Sequence, residues 1–221
     1  VPPKSTNRRR PTQDRAKATR EDILDAAAAL FGERGITDTS TNRIAAAAGV
    51  SIGTVYRYFP DRATIVEELL TRIQNNIERR FTERAHDLSD TPVQQLVSGV
   101  LEAIVDEMVT DVPLVRALIA GLDFYSSGMP ELEVRLRLLV KMQIIQILGP
   151  GADDEYDVLT ITIISACFGI VLRAAVLEDR HIRDEVIATT ARLVAAFADN
   201  EIQARTTGEN HTRDSPAAPS K

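Results

Sequence analysis

Between residues 39 and 62 the chain concentrates hydroxyl, phenol and guanidinium side chains: Ser40, Thr41, Arg43, Thr54, Tyr56, Arg57, Tyr58 and Arg62. Such groups donate to phosphate oxygens, and an arginine fork or a threonine can also address a base edge, so the composition suits contact with a duplex. Ile52 and Thr54 add methyl groups of the kind that meet a thymine methyl, while Arg57 has the reach for guanine or phosphate. Between them Gly53 gives up about 0.8 to 1 kcal/mol of helix propensity against alanine, a loss tolerable where backbone must come close to a base. Val50, Val55 and Phe59 are apolar and spaced to pack, and are read as core.

The same stretch admits a second chemistry. Gly49-Val50-Ser51-Ile52-Gly53 fits the G-x-S-x-G pattern of a serine-hydrolase elbow. That elbow needs a strand entering the turn, yet Thr41 to Ala48 is alanine-rich and helix-like, so Ser51 is read as a helix cap. His86, His181 and His211 are scattered outside any ligand spacing, and the one cysteine, Cys167, excludes a disulfide within the chain and a cysteine cluster. No cofactor, no metal and no enzymatic activity are expected, and a reducing cytoplasm fits.

The elements that must carry these residues are helices. Apolar positions recur at three and four, and alternation is scarce, so an all-α fold of about nine helices is expected. Thr19 and Asp22 form a capping-box pattern that predicts the start of the first helix, with Ile23, Ala27, Leu30 and Phe31 as its buried stripe and Gly35 as its end. A second helix begins at Ser40 or Thr41 and stops at Gly49; Ser51 caps a third that runs to about Phe59. Pro60 and Asp61 open a fourth, with Val66, Leu69, Leu70, Ile73, Ile77 and Phe81 on one side. Proline and glycine breaks then divide the chain into helices near 93–109, 113–125, 131–148, 155–178 and 183–200. Residues 1–18 read as a disordered basic arm, 19–62 as a helix-turn-helix domain, 63–205 as a helical body and 206–221 as a disordered tail. The run 158–172 is uncharged but short of the roughly 20 residues that span a bilayer, and is read as a buried core helix with no membrane role.

Thr39-Ser40-Thr41, Ile44-Ala45, Ala48-Gly49-Val50-Ser51, Gly53-Thr54-Val55-Tyr56 and Tyr58-Phe59-Pro60 closely resemble the pattern of the tetracycline-repressor (TetR) family over about residues 19–70. The resemblance implies a DNA-binding regulator whose second short helix enters the major groove. It also implies that Tyr56, Tyr58 and Arg62, with Ser40, Thr41 and Arg43, hold phosphates. Asn42 and Thr64 depart from the family's usual residues and leave the operator sequence open. The last two helices, as in proteins resembling this family, are expected to pair with their copies into a homodimer over an inverted-repeat operator.

Charge agrees with a duplex partner at one end. The net charge is −6, yet residues 1–62 hold 11 Lys plus Arg against 7 Asp plus Glu, leaving 15 against 25 for the remainder. Arm residues Lys4, Arg8, Arg9, Arg10, Arg15 and Lys17 can follow a backbone or a minor groove. In the body, Met108, Phe124, Tyr125 and Met142, with Gln146 and Cys167 as polar handles, suit a small lipophilic effector. The competing reading is an all-helical carrier or enzyme with a non-functional head; steep salt dependence of duplex binding separates the two.

Overall fold

The computed structural model describes residues 9–87, 90–121 and 129–213. Among the described residues all regular structure is helical, in nine helices: α1 (Arg9–Arg34), α2 (Thr41–Ala47), α3 (Ile52–Tyr58), α4 (Arg62–Asp87), α5 (Val93–Val109), α6 (Val112–Gly121), α7 (Met129–Leu148), α8 (Asp153–Ala175) and α9 (Arg180–Arg213). They form two compact units, one of Val1–Asn76 with Thr110–Pro130, the other of Ile77–Val109 with Glu131–Lys221.

The first unit is built on the buried side of α1. Ile23, Leu24, Ala27 and Phe31 meet Ile44 and Ala45 of α2, Val55 of α3, Phe59, and Ile65, Val66 and Leu69 of α4 in one core. Fully burying a phenylalanine such as Phe31 or Phe59 contributes about 1.5 to 3 kcal/mol, so two of them anchor a small unit. Gly35 ends α1 at φ +80°, its amide returning to the Phe31 carbonyl at 2.8 Å. Thr39 is wholly buried, and its hydroxyl donates to the Gly35 carbonyl at 2.8 Å, which removes the cost of enclosing a polar group. Arg72 of α4 holds Asp25 of α1 at 2.6 Å.

Leu114 and Leu118 of α6 belong to this same core. The approach of α6 to α1 is close because position 32 lacks a side chain: a Cβ there would stand 2.8 Å from the Pro113 Cβ and 3.2 Å from the Leu114 nitrogen. The expected domain limits, 19–62 and 63–205, therefore do not coincide with the compact units, since α6 and the first half of α4 pack with the head.

In the second unit α5 packs on α8 and α9, and α8 on α9. The apolar side of α5 (Leu96, Val100, Leu101, Ile104, Val105, Met108) faces a core to which α8 gives Tyr156, Val171 and Ala174, and α9 gives Ile187, Ala191, Ala195 and Ala198. Alanine on α9 lets helices approach closely. The α8 C-terminus is capped by Arg183, whose Nε donates to the Ala174 carbonyl at 3.1 Å.

Three expectations are corrected. The first helix starts at Arg9, so residues 9–18 are helical instead of an arm, and Thr19 lies within the helix with its hydroxyl bonded to the Arg15 carbonyl at 3.0 Å. Helix-forming Ala16, Lys17 and Ala18 precede the cap signal, and Pro11 sits in the first turn, where proline is tolerated. At the other end α9 runs to Arg213, through the first half of the expected tail, with Thr206 and Thr207 each bonded to the carbonyl four residues back. Finally, α8 is 23 residues long, enough by length and composition to cross a membrane, and most of its apolar stretch is exposed on this chain instead of being buried.

Candidate nucleic-acid interface

The turn between α2 and α3 is fixed by backbone chemistry. Gly49 at φ +66° takes the left-handed position that ends α2, and the Val50 amide donates to the Ala45 carbonyl at 3.0 Å. Ser51 then caps α3, its Oγ accepting from the Thr54 amide at 3.1 Å, as Ser40 caps α2 by accepting from the Arg43 amide at 3.4 Å. Residues 48–51 thus redirect the chain in one tight turn.

That turn sets which side of α3 is outward. Val55 and Phe59, one turn apart, are fully buried, whereas Gly53, Tyr56 and Arg57 are exposed and Ile52, Thr54 and Tyr58 are half-buried. Tyr56 is 52 % exposed and its phenol lies 3.2 Å from the Thr41 hydroxyl, tying the two short helices together at the surface. The Thr54 hydroxyl lies 2.8 Å from Ser51 Oγ. The Arg57 guanidinium stacks 5.2 Å above the Tyr58 ring. An added Cβ at position 53 would meet only Ser51 Oγ, at 3.8 Å, so the glycine keeps the start of α3 low without any need of its own fold. The expected residues Thr41, Ile52, Gly53, Thr54, Tyr56, Arg57 and Tyr58 are therefore gathered on α3 and the adjoining edge of α2.

Three others are engaged inside the unit. Arg62 donates from one guanidinium nitrogen to the carbonyls of Thr37 at 2.9 Å and Thr39 at 3.0 Å, so it braces the loop between α1 and α2. Arg43 donates to the Asp38 carbonyl at 3.2 Å from the same loop. Ser40 is a cap. Next to Arg62, Asp61 accepts from the Thr64 amide at 2.8 Å and the Thr64 hydroxyl at 2.9 Å, and these two bonds hold its carboxyl below the ordinary value of 3.8. Thr64 is thus the partner of the α4 cap. A residue that motif reasoning passed over is Arg20, which pairs with Glu68 and stacks 5.4 Å over the Phe59 ring at the end of α3. Its signal was its spacing, three residues before Ile23.

The hydrolase geometry is missing: the residues entering the turn form α2, not a strand, and Ser51 is occupied as a cap. Among the described residues no group of His, Cys, Asp and Glu is placed to hold a metal. Of the expected effector set, Phe124 and Tyr125 lie outside the described residues. Met108 is buried on α5, and Cys167 is half-buried on α8, where burial pushes its thiol up. Met142 and Gln146 are exposed, Met142 at 56 % on one stripe of α7 with Val134 and Leu138, so the structure does not gather them with Met108.

Two short capped helices at a tight glycine turn, with one outward edge, define a helix-turn-helix protein. Residues 23–69 match the family described as bacterial regulatory proteins, tetR family, and by that domain the chain belongs to the TetR family. It is similar to the transcriptional regulator AcrR of Shigella flexneri, 34 % identical over 101 residues that cover 44 % of this chain and 47 % of AcrR. The match therefore spans about half of that relative's length. Similarity to the nucleoid occlusion factor SlmA of Pasteurella multocida is lower, 26 % over 183 residues, but covers 78 % of this chain and 90 % of SlmA. The solved structure of SmeT, the repressor of the multidrug efflux pump SmeDEF of Stenotrophomonas maltophilia, shares the fold with a TM-score of 0.63 at 22 % identity, covering 82 % of this chain and 90 % of SmeT.

Proposed function

We propose that this chain is a DNA-binding transcriptional regulator of the cytoplasm, a ligand-responsive repressor that occupies an inverted-repeat operator as a homodimer. The observation that carries the reading is the outward edge of α3: Gly53, Tyr56 and Arg57 are exposed while Val55 and Phe59 seal its other side. Ile52, Gly53, Thr54 and Arg57 read bases, and Thr41, Tyr56 and Tyr58 hold phosphates. Arg43 and Arg62 act on the duplex through the loop they brace, with any phosphate contact additional to that role.

Dimerisation is supported by α8 and α9, whose exposed sides carry Val158 and Ile161, and Ile182, Leu193 and Phe197. Small Ser165, Ala166 and Gly169 continue the exposed side of α8 and permit close approach of a second copy. Two heads then address successive major grooves about 34 to 36 Å apart. The effector is a small lipophilic molecule taken up in the body. It acts by binding the DNA-incompetent form more tightly, displacing α4, and a coupling of about 1 to 3 kcal/mol weakens operator affinity about 5- to 150-fold.

The test joins Thr54→Ala to Tyr56→Ala in the full chain and measures gel shifts on fragments selected from the source genome by the wild type. Loss of binding, with the dimer and the helical circular dichroism retained, is expected. Unchanged shifts would sink the assignment of α3. The name of SlmA points to nucleoid occlusion as another outcome of duplex binding, and fragments spread along a chromosome instead of lying at promoters would favour it.

A further inference from the structure

The apolar side of α1 does not stop where the core stops; it changes character. Ile23, Leu24, Ala27 and Phe31 are buried. Read back along the same side in steps of three, four and seven, the helix passes Arg20, Lys17 and Gln13 and, by spacing alone, Arg10 and Arg9. Residues 9–20 carry five cations against the single carboxylate of Asp14. Gln13, Asp14, Arg15, Lys17 and Ala18 are exposed, whereas Arg20 is half-buried and already engaged with Phe59 and Glu68.

Position gives this charge a destination. Arg20 stacks on Phe59, the residue that ends α3, so the helix N-terminal to Arg20 starts beside the C-terminal end of the proposed reading helix. Residues 9–19 extend about 16 Å at helical rise, which matches about five phosphate steps along one strand.

We propose that the N-terminal extension of α1 is a second duplex-binding element, a rigid cationic helix whose Arg9–Arg10–Lys17 side lies along the phosphates flanking the half-site read by α3. The proposal rests on the reading of α3 as a DNA-binding helix and adds to it a surface outside the helix-turn-helix. A flexible arm would spread its contacts over all its cations, but a helix restricts them to one side. Arg15, on the opposite side from Lys17 by helical spacing, then contributes nothing.

The full chain is compared with an Arg10→Gln/Lys17→Gln pair and with Arg15→Gln. Fluorescence anisotropy follows each on a duplex of about 40 base pairs of arbitrary sequence between about 50 and 200 mM salt. Glutamine keeps the helix propensity close to that of the cations it replaces, which circular dichroism checks. The slope of log affinity against log salt is expected to fall by about 0.9 for each phosphate that a head of the pair variant leaves unneutralised, and to stay at the wild-type value in Arg15→Gln. Equal slopes in the wild type and the pair variant, with binding retained, overturn the proposal, and so does an equal fall in both variants. Absence of duplex binding by the wild type instead overturns the reading of α3 on which it rests.

Discussion

Arg62 illustrates how one side chain can belong to a motif for a reason other than the one its chemistry suggests. Its guanidinium spans 23 and 25 residues of sequence to reach the Thr39 and Thr37 carbonyls, and thereby fixes the loop that leads into α2. Hydrogen bonds from a charged donor contribute about 1.5 to 3 kcal/mol each when removal leaves carbonyls unpaired, less where water can replace them. Arg62→Ala is expected to lower unfolding free energy by about 1 to 3 kcal/mol in urea melts without DNA present. A residue that served phosphate alone would leave those melts unchanged. The outward residues of α3 were legible in the sequence because caps and a glycine turn fix the phase of a short helix, so that burying Val55 and Phe59 forces Gly53, Tyr56 and Arg57 outward. The engagement of Arg62 and Arg43 was not legible, since a long flexible side chain finds carbonyls that only the folded loop presents.

At the scale of the element, local signals located the ends that glycine and serine control and misplaced those they do not. Gly35 and Gly49 adopt positive φ, and Ser40, Ser51 and Asp61 cap where expected. The start of α1 failed because a capping pattern is permissive: Thr19 and Asp22 could open a helix, but helix formers upstream carried the helix past them. The contact of α1 with α6 was also hidden, as nothing in the spacing of Gly32 announces a partner 81 residues away. Its consequence is measurable. Gly32→Ala places a methyl 2.8 Å from the Pro113 Cβ and 3.2 Å from the Leu114 backbone nitrogen, neither of which is the end of a flexible chain. A stability loss of about 1 to 3 kcal/mol is expected from this overpacking, read as a lowered midpoint of thermal unfolding. Alanine is otherwise the better helix residue, so a raised midpoint would mean that α6 yields easily.

For the molecule as a whole, the body's helices were legible from their breaks, but their outward sides were not, because an apolar helix reads alike whether its own chain or another copy covers it. On this chain Leu193 is 66 % exposed on α9 and Val158 63 % on α8. Leu193→Glu is expected to shift sedimentation velocity from dimer to monomer and to weaken operator binding with it, while the unfolding of each chain changes little; a dimer of wild-type affinity would place the pairing elsewhere. The return of α6 to the head also bears on how such proteins can be recombined. Leu114 and Leu118 complete a core otherwise drawn from residues 23–69, so a transplant cut just after the recognition motif carries away a nucleus with two of its walls removed. An exchange of specificity between relatives needs matched α6 sequences on the recipient, or the grafted reader arrives intact in sequence and loose in structure.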